Sequence, residues 1–356
     1  SGTRAPPPGR SNPSNGRNAS PARAPPAPGA RESRDRKRMT QIGNKAIERL
    51  ASVERREEEE KIGGKKHARA GVVHRVGFKS KVGFVPMNPN KVNQDAHMEH
   101  DGFGNDPSQY LFGVMDGHGY LGHDVSDMAK KRLPGFLARD PGLRTEPSAS
   151  LKRTFQKTNQ ELLKSSLDVT FSGCTCNVVL IRGHQLITAN VGDSRAVLAK
   201  YVSGSWQAVP LSDDHKPDRP DERKRILDRG GRVEAFRTES GDPIGPQRVW
   251  LKHQEAPGLA MSRAFGDSVA GTVGVIAEPE LTVTNLTSED RFLVLGSDGV
   301  WEFLTNDDVV RIVTPFYEKH DAVGAAETLV KEAQARWRQH EEVIDDTTCI
   351  IVFLKC

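Results

Sequence analysis

The stretches YLFGVMDGHG (110–119) and RFLVLGSDGVW (291–301) are the most informative parts of this chain. Each is an apolar run that ends in an aspartate followed by glycine, Asp116 in the first and Asp298 in the second. Short apolar runs bounded by turn residues are typical of buried strands. A carboxylate at the tip of such a strand is costly to desolvate unless a positive group neutralises it. No Lys or Arg lies close in sequence to either aspartate.

Two further aspartates are candidate ligands, and one of them, Asp345, also adjoins an apolar run. Asp95 lies in the string KVNQDAHM, and Asp345 opens the string DDTTCIIVFL. Mg²⁺ and Mn²⁺ prefer carboxylate, carbonyl and water oxygens, so a hard cation would neutralise these acids. A single Asp-Gly pair usually makes only a turn. Two such pairs after two apolar runs, together with two more acids, favour a metal site.

Further strings extend this pattern along the chain, in the order NQDAH, FGVMDGHG, SGCTC, ANVGDSRAVL, LSDDHKP followed by ERKRILDRGGRV, LAMSRAFGD, VIAEPEL, LVLGSDGVWEFL and DDTTCIIV. With these strings the chain resembles a metal-dependent serine/threonine protein phosphatase of type 2C, over about residues 72–356. The resemblance implies an α+β fold, a four-layer α-β-β-α sandwich of two mostly antiparallel sheets flanked by helices. It also implies an enzyme that hydrolyses phosphoserine and phosphothreonine in proteins.

Hydrophobic spacing gives a coarse map of the same region. It predicts helices over 124–137, around Leu151 to Leu162, over 222–228 and around Leu329 to Trp337. The strings CTCNVVLI, QLITANVG and SRAVLAKY predict three consecutive strands in an antiparallel meander. Hairpins combined with long helices favour an α+β fold with helices packed outside paired sheets.

The resemblance also implies a set of metal ligands. Asp116 bridges two Mg²⁺ or Mn²⁺ ions, the Gly117 carbonyl joins one of them, Asp298 and Asp345 hold the other, and Asp95 binds the first ion or its waters. A pair of such ions about 4 Å apart activates a water for in-line attack on phosphorus. No covalent intermediate on the protein is needed.

Three other residues complete the implied site. The family places a general acid at His118, which protonates the leaving serine or threonine oxygen; from chemistry alone a turn or core histidine is the alternative. Asp193 and Glu302 match positions that hold a weaker third ion in some relatives. Asp193 could instead cap a turn through its side chain.

The chain departs from the family pattern just before Asp95. Asn90 stands where many relatives have an arginine that binds phosphate, and Gln94 stands where they have a glutamate that binds metal. One anionic ligand is therefore lost, which should weaken that metal site. The predicted phosphate-binding role passes to one of four cations, with Arg75 and Lys91 put forward first: Arg75, Lys79, Lys81 and Lys91.

The composition of the chain predicts that it is divided into three regions. Residues 1–70 contain 17 Lys and Arg against 8 Asp and Glu, although the whole chain carries only +4. We predict a disordered basic tail rich in Pro, Ala and Arg at 1–38, a short charged helical extension at 39–71 and the catalytic domain at 72–356. The basic arm is a candidate ligand for an acidic protein partner or assembly, whereas the lack of interleaved aromatic residues disfavours nucleic acid.

Several function classes are disfavoured. No apolar run approaches the roughly 18 residues of a membrane span, and no secretory signal is visible. The four cysteines show no disulfide or metal-binding spacing, so we expect reduced thiols. This is typical of a cytoplasmic or nuclear protein, or of one bound to a cytoplasmic assembly. Cys174 and Cys176 lack the phosphate loop of a thiol phosphatase. The remaining alternative is a catalytically weak or dead phosphatase-like scaffold.

Overall fold

Strands with both faces buried form the centre of the molecule. In the computed structural model, which describes residues 61–66, 71–238 and 240–356, all eight residues of Thr347–Leu354 are buried. Alternate side chains of this strand enter two different apolar clusters: Ile350 and Val352 pack into one, and Ile351 and Phe353 pack into the other. Successive side chains of a strand point to opposite faces, so this strand must be covered on both sides.

The strands form two large antiparallel sheets and one small one. In spatial order, the first large sheet contains β1 (Lys61–Lys66), β2 (Val73–Lys81), β16 (Thr347–Leu354), β15 (Asp290–Gly296), β8 (Arg195–Val202) and β9 (Ser205–Pro210). The second contains β13 (Phe265–Gly266), β5 (Gly173–Cys174), β4 (Gln109–His118), β6 (Cys176–Arg182), β7 (Gln185–Val191) and β14 (Glu280–Asn285), with β3 (Asp95–Asp101) paired to β4. The small sheet contains β10 (Arg232–Arg237), β11 (Pro243–Trp250) and β12 (Pro257–Leu259).

Helices cover the outer faces of the two large sheets. The helices are α1 (Gly122–Arg139), α2 (Pro147–Lys164), α3 (Pro220–Asp228), α4 (Ser268–Gly271), α5 (Asp298–Trp301), α6 (Asn306–Glu318) and α7 (Ala322–His340). The pair α1 and α2 packs on the second sheet through residues such as Leu133 and Phe155. The pair α6 and α7 packs on the first sheet through Val313 and Leu329. A third cluster lies between the sheets, so the predicted α-β-β-α sandwich is confirmed.

The predicted helices are present, and α1 continues through Pro134. The predicted meander is wrong in its third strand. Strands β6 and β7 pair as predicted, but β8 pairs with β9 and β15 in the other sheet. The turn 192–194 carries the chain between the sheets. A continuous apolar run in sequence indicates that a strand has two buried faces, but it does not show which sheet the strand joins.

The structure also bears on the predicted domain boundary. The tail at 1–38 and the helical segment up to residue 60 lie outside the described residues. Lys61–Lys66, which the prediction assigns to the extension, pair with β2 from Lys61–Ser80 to Lys66–Arg75. The first sheet therefore begins before residue 72. These six residues belong with a compact unit that spans 59–356.

Candidate active site

Strand pairing brings the four predicted acids to one end of the sandwich. Asp95 opens β3 and lies directly opposite Asp116, near the end of β4. Gly296 at the end of β15 pairs with Cys349 near the start of β16, so Asp298 and Asp345 occupy neighbouring strand ends. Asp298 lies close enough to Asp116, across the two sheets, for its charge to raise the pKa of that acid.

Burial and mutual repulsion make these acids hard to ionise. Burial raises the pKa of Asp116 well above its usual value, and the charges of Asp298, Asp95 and Asp345 add to the effect. The pKa of Asp298 is raised in the same way by burial and by neighbouring carboxylates. The pKa of Asp95 rises to about 8, because burial and the charge of Asp346 outweigh its hydrogen bonds. The pKa of Asp345 is also raised by burial.

Several carboxylate oxygens in this cluster are buried without a partner in the described part of the chain. Ser297 Oγ donates to Asp95 Oδ2 at 2.8 Å, but Asp95 Oδ1 and Asp298 Oδ1 accept no hydrogen bond. Buried acceptors of this kind are costly unless a ligand satisfies them. No three His, Cys, Asp or Glu side chains within the described ranges are already arranged as a complete metal cluster. A Mg²⁺ ion does not require one, since it binds through one or two carboxylates and keeps several waters.

His118 lies at the end of β4, beside the acids. Its Nε2 lies 2.6 Å from Oδ2 of Asp267, which is buried and has a left-handed backbone with φ of 46°. Burial alone would lower the pKa of His118, but the charge and hydrogen bond of Asp267 outweigh it and raise the pKa above its usual value. The Nδ1 atom is buried and has no partner among the described residues. His118 is therefore held in one orientation with one ring nitrogen left unpaired.

The comparisons with known proteins bear directly on this site. A family model described as protein phosphatase 2C matches residues 85–341. The chain belongs to this family. It is 37% identical over 290 residues to a probable protein phosphatase 2C of Arabidopsis thaliana, numbered 35, covering 78% of this chain and 82% of that one. A second Arabidopsis relative, numbered 72, is 38% identical over 297 residues, covering 80% of this chain and 86% of that one.

Solved structures support the same fold. A serine-threonine phosphatase 2C from Toxoplasma gondii superposes with a TM-score of 0.70 at 20% identity, covering 83% of this chain and 99% of that one. Family membership makes the chain a metal-dependent serine/threonine protein phosphatase. Among the described residues, no helix is long and apolar enough to span a membrane.

Gln94 stands where the resemblance implies a metal-binding glutamate, but in the structure it holds a neighbouring loop. The side-chain amide of Gln94 donates to the Gly119 carbonyl at 2.7 Å, and the backbone carbonyl of Gln94 accepts from Gly117 N and Ser126 Oγ. A carboxylate could not donate to Gly119. A Cβ on Gly117 would lie 2.2 Å from the Gly122 carbonyl and 2.7 Å from that of Gln94. Gln94 therefore fixes the loop that carries Gly117 and His118.

The two predicted phosphate-binding cations are not equivalent. Arg75 pairs with Phe353, whereas Lys81, six residues along the same strand, pairs with Thr347 next to the acids. Six residues of strand span about 20 Å, so the structure does not bring Arg75 to the site. Lys91 does reach the site. Its Nζ lies 2.5 Å from Asp346 and 3.9 Å from Asp345.

The two acids predicted to bind a third ion, Asp193 and Glu302, lie in different environments. Asp193 is buried, and its Oδ2 lies 2.5 Å from Nζ of Lys216. Burial lowers the pKa of Lys216, but Asp193 outweighs it and keeps the pKa above its ordinary value. Glu302 is exposed and lines a cavity with Arg195 and Trp301. A lysine of the chain already offsets the charge of Asp193.

Three further site residues were not singled out from sequence: Asp267, Asp346 and Lys216. Asp346 accepts from the backbone N–H groups of Gly83 and Gln94 and binds Lys91, so it ties three segments together. All three residues lie inside family strings: LAMSRAFGD, DDTTCIIV and LSDDHKP. The sequence offered one signal that could have identified them: each is an ionisable residue inside a family string, and no role had been assigned to it.

The cysteines behave as core residues. Cys174 and Cys176 are fully buried in the apolar cluster beneath α1 and α2. Burial raises the pKa of each thiol well above its usual value. A buried neutral thiol is a poor nucleophile.

Proposed function

We propose that this enzyme removes phosphate from phosphoserine and phosphothreonine by direct attack of water, with no phosphoenzyme. Asp116 and the Gly117 carbonyl would hold one Mg²⁺ or Mn²⁺ ion, with Asp95 on that ion or its waters. Asp116 would be shared with a second ion held by Asp298 and Asp345. One observation carries this assignment: partly buried acids with raised pKa values converge from four strand ends without enough basic partners.

When bound, such cations supply an activated water and offset negative charge on the phosphoryl oxygens. The chain's own residues do the positioning. Ser297 holds Asp95, and Gln94 fixes the DGHG loop. Lys91 has two further ammonium donors beyond the one used by Asp346. Of the two cations put forward for phosphate binding, Lys91 is therefore the better placed.

His118 would act as general acid on the leaving group. Its raised pKa favours the imidazolium form near neutral pH. Asp267 occupies Nε2, so Nδ1 is the nitrogen left to donate a proton to the serine or threonine oxygen. Donation would also satisfy an otherwise orphaned buried group.

A weaker third ion at Asp193 and Glu302 would have to compete with Lys216 for Asp193. We therefore expect any third ion to bind more weakly than the other two. The alternative of a catalytically weak or dead scaffold has no use for acids whose charges repel one another, since their burial only destabilises the metal-free fold.

Phosphate release from a phosphoserine peptide tests the proposal most directly. We expect release with Mn²⁺ and none after EDTA treatment. His118→Gln should lower kcat on the peptide about 10²- to 10⁴-fold. The loss should be much smaller with p-nitrophenyl phosphate, whose leaving group needs little protonation. Equal losses on both substrates would rule out the general acid, and a wild-type protein inactive on both would favour the scaffold.

A further inference from the structure

Exposed apolar side chains are concentrated around the acid cluster. Twelve large apolar residues are exposed in the part of the chain that the structure describes. Five of them lie near the acids along the chain or through strand pairing: Phe84, Val92, Tyr120, Phe171 and Val343. Single exposed apolar residues need no explanation, but several around one polar site mark a contact surface.

Tyr120 and Phe171 lie on the His118 side of this surface. Tyr120 is 91% exposed and Phe171 is 53% exposed. Tyr120 lies two residues after His118. Phe171 lies two residues before Gly173, which pairs with His118 across the sheet. Two residues of extended chain span about 7 Å. Both side chains are therefore within reach of anything bound at His118.

The backbone holds these two side chains in fixed loops. Gly119 has a φ of 79°, and a Cβ there would lie 2.1 Å from the Phe171 carbonyl. Ser172 Oγ accepts from the Leu121 N–H at 3.0 Å, and the Ser172 carbonyl accepts from the Asp267 N–H at 3.0 Å. The loops carrying Tyr120, Phe171 and the partner of His118 are thus joined to one another. A rigid apolar surface loses little entropy when a ligand covers it.

The chemistry of the reaction indicates what covers this surface. This step rests on the proposed role of His118 as general acid. Because the proton goes to the leaving oxygen, the polypeptide must leave on the side of His118. The residues on either side of the phosphoserine are then the part of the substrate nearest to Tyr120 and Phe171.

We propose that Tyr120 and Phe171 determine substrate specificity by contacting an apolar side chain within two positions of the phosphorylated residue. The occupant is an extended segment of the phosphoprotein substrate. Its aliphatic or aromatic side chain packs against the two rings while the phosphate lies over the acids. Phosphoproteins with only small polar residues at these positions are poorer substrates.

Two phosphoserine peptides of equal length and charge test this inference, with leucine on both sides of the phosphoserine in one and serine in the other. p-Nitrophenyl phosphate, which has no flanking residues, is the third substrate. We expect wild-type kcat/KM to favour the leucine peptide by about tenfold. Tyr120→Ser and Phe171→Ser should each bring that ratio close to one, mainly through KM. Tyr120→Phe should retain it.

Val283→Ser is the matched control, because Val283 is 52% exposed in the middle of β14. It should retain the leucine preference. Equal wild-type kcat/KM on the two peptides, or an equal loss on all three substrates in Tyr120→Ser and Phe171→Ser, would overturn the inference while leaving the proposed reaction in place. A wild-type enzyme that hydrolyses none of the three would overturn the proposed function first, and this inference with it.

Discussion

Two groups of carboxylates in this molecule have opposite electrostatic environments, one fully buried and one only partly buried. Glu222, on the first turn of α3, is fully buried and bound by Arg225 at 2.6 Å and Arg263 at 2.8 Å, and it also accepts from Ser262. Burial alone would raise the pKa of Glu222, but these partners hold it well below its usual range. Around Asp116, burial and neighbouring acids raise the pKa instead.

The contrast separates structural acids from functional ones. Glu222 joins α3 to the segment before β13, and its charge is matched by two guanidinium groups, so it stabilises the fold without any ligand. The cluster around Asp116 has one nearby lysine at Asp345 and another at Asp193. Its remaining charge must be balanced by something that binds. A buried acid with raised pKa beside other acids is therefore a better functional marker than a buried acid alone.

The largest expected effect comes from the unbalanced cluster. Asp116→Asn or Asp298→Asn should lower phosphatase turnover by a factor of about a thousand or more, because each removes an anionic ligand. The metal-free protein should be at least as stable as wild type, since one source of repulsion is gone. Turnover at saturating Mn²⁺ and thermal melting in EDTA measure the two effects. Near wild-type turnover in either variant would contradict the assignment of the metal site.

Glu222→Gln should show the reverse pattern. Removing one partner of a buried charge network leaves the guanidinium groups unpaired, which costs about 3–5 kcal/mol. Urea unfolding should show this loss, while turnover per folded molecule stays within a few fold of wild type. Glu234→Gln is the matched control, because Glu234 binds Arg232 at 3.1 Å near the surface, where a pair is worth about 0–1 kcal/mol. Equal losses in the two variants would show that the network around Glu222 contributes no more than a surface pair.

The sequence predicted the acid cluster around Asp116 but not the charge network around Glu222. Three of the four strand-end acids were predicted because each ends or opens an apolar run, Asp95 was predicted from its string KVNQDAHM, and pairing then brought all four together. Glu222 gave no such signal, since its partners Ser262 and Arg263 lie about 40 residues away in sequence. The wrong sheet for β8 has the same origin, because long-range pairing is not written into local alternation.

The polar segment between residues 218 and 258 shows the same limit. From composition alone, its seven arginines would predict a positive surface for selecting substrates: Arg219, Arg223, Arg225, Arg229, Arg232, Arg237 and Arg248. In the structure Arg219 and Arg225 bind Glu222 or its neighbours, Arg232 binds two glutamates, and Arg248 binds the Gly258 carbonyl. Most of this charge is used within the molecule. Composition shows how many charges a segment has, but not which of them are already paired.

A pH titration of the metal-free protein sharpens the comparison. Asp95 has a pKa of about 8 when folded and an ordinary value of 3.8. Its contribution to stability is therefore full below pH 3.8 and is lost as pH rises through 8. From Asp95 alone, the free energy of unfolding should fall by about 2 kcal/mol between pH 6.5 and 8.5, and the raised pKa values of Asp116 and Asp298 act in the same direction. Glu222 does not oppose this change, since its lowered pKa affects stability only at acid pH.

His215 is one reason for choosing that window. Burial lowers its pKa to about 4, so the stability associated with its neutral form is lost only as pH falls below 6.5. Urea midpoints in EDTA at pH 6.5 and 8.5 measure the effect. Asp95→Asn should reduce the dependence without abolishing it, because Asp116 and Asp298 also have raised pKa values, and saturating Mn²⁺ should abolish it in the wild type. A metal-free wild type whose stability rises over this interval would contradict the pKa assigned to Asp95.

The smallest effect on turnover is expected from deleting the N-terminal residues, which contain none of the predicted metal ligands. Residues 1–58 contain none of the predicted ligands, so their deletion should leave turnover on a small phosphopeptide nearly unchanged. Deletion of 1–70 also removes β1, which pairs with β2 along six residues. It should cost about 1–3 kcal/mol of stability but little turnover, because the acids lie on other strands. If the basic arm binds an acidic partner, both truncations should weaken that binding, and salt should weaken it for the full chain. A 1–58 deletion that abolishes peptide turnover would show that the arm completes the catalytic unit, which the location of the acids argues against.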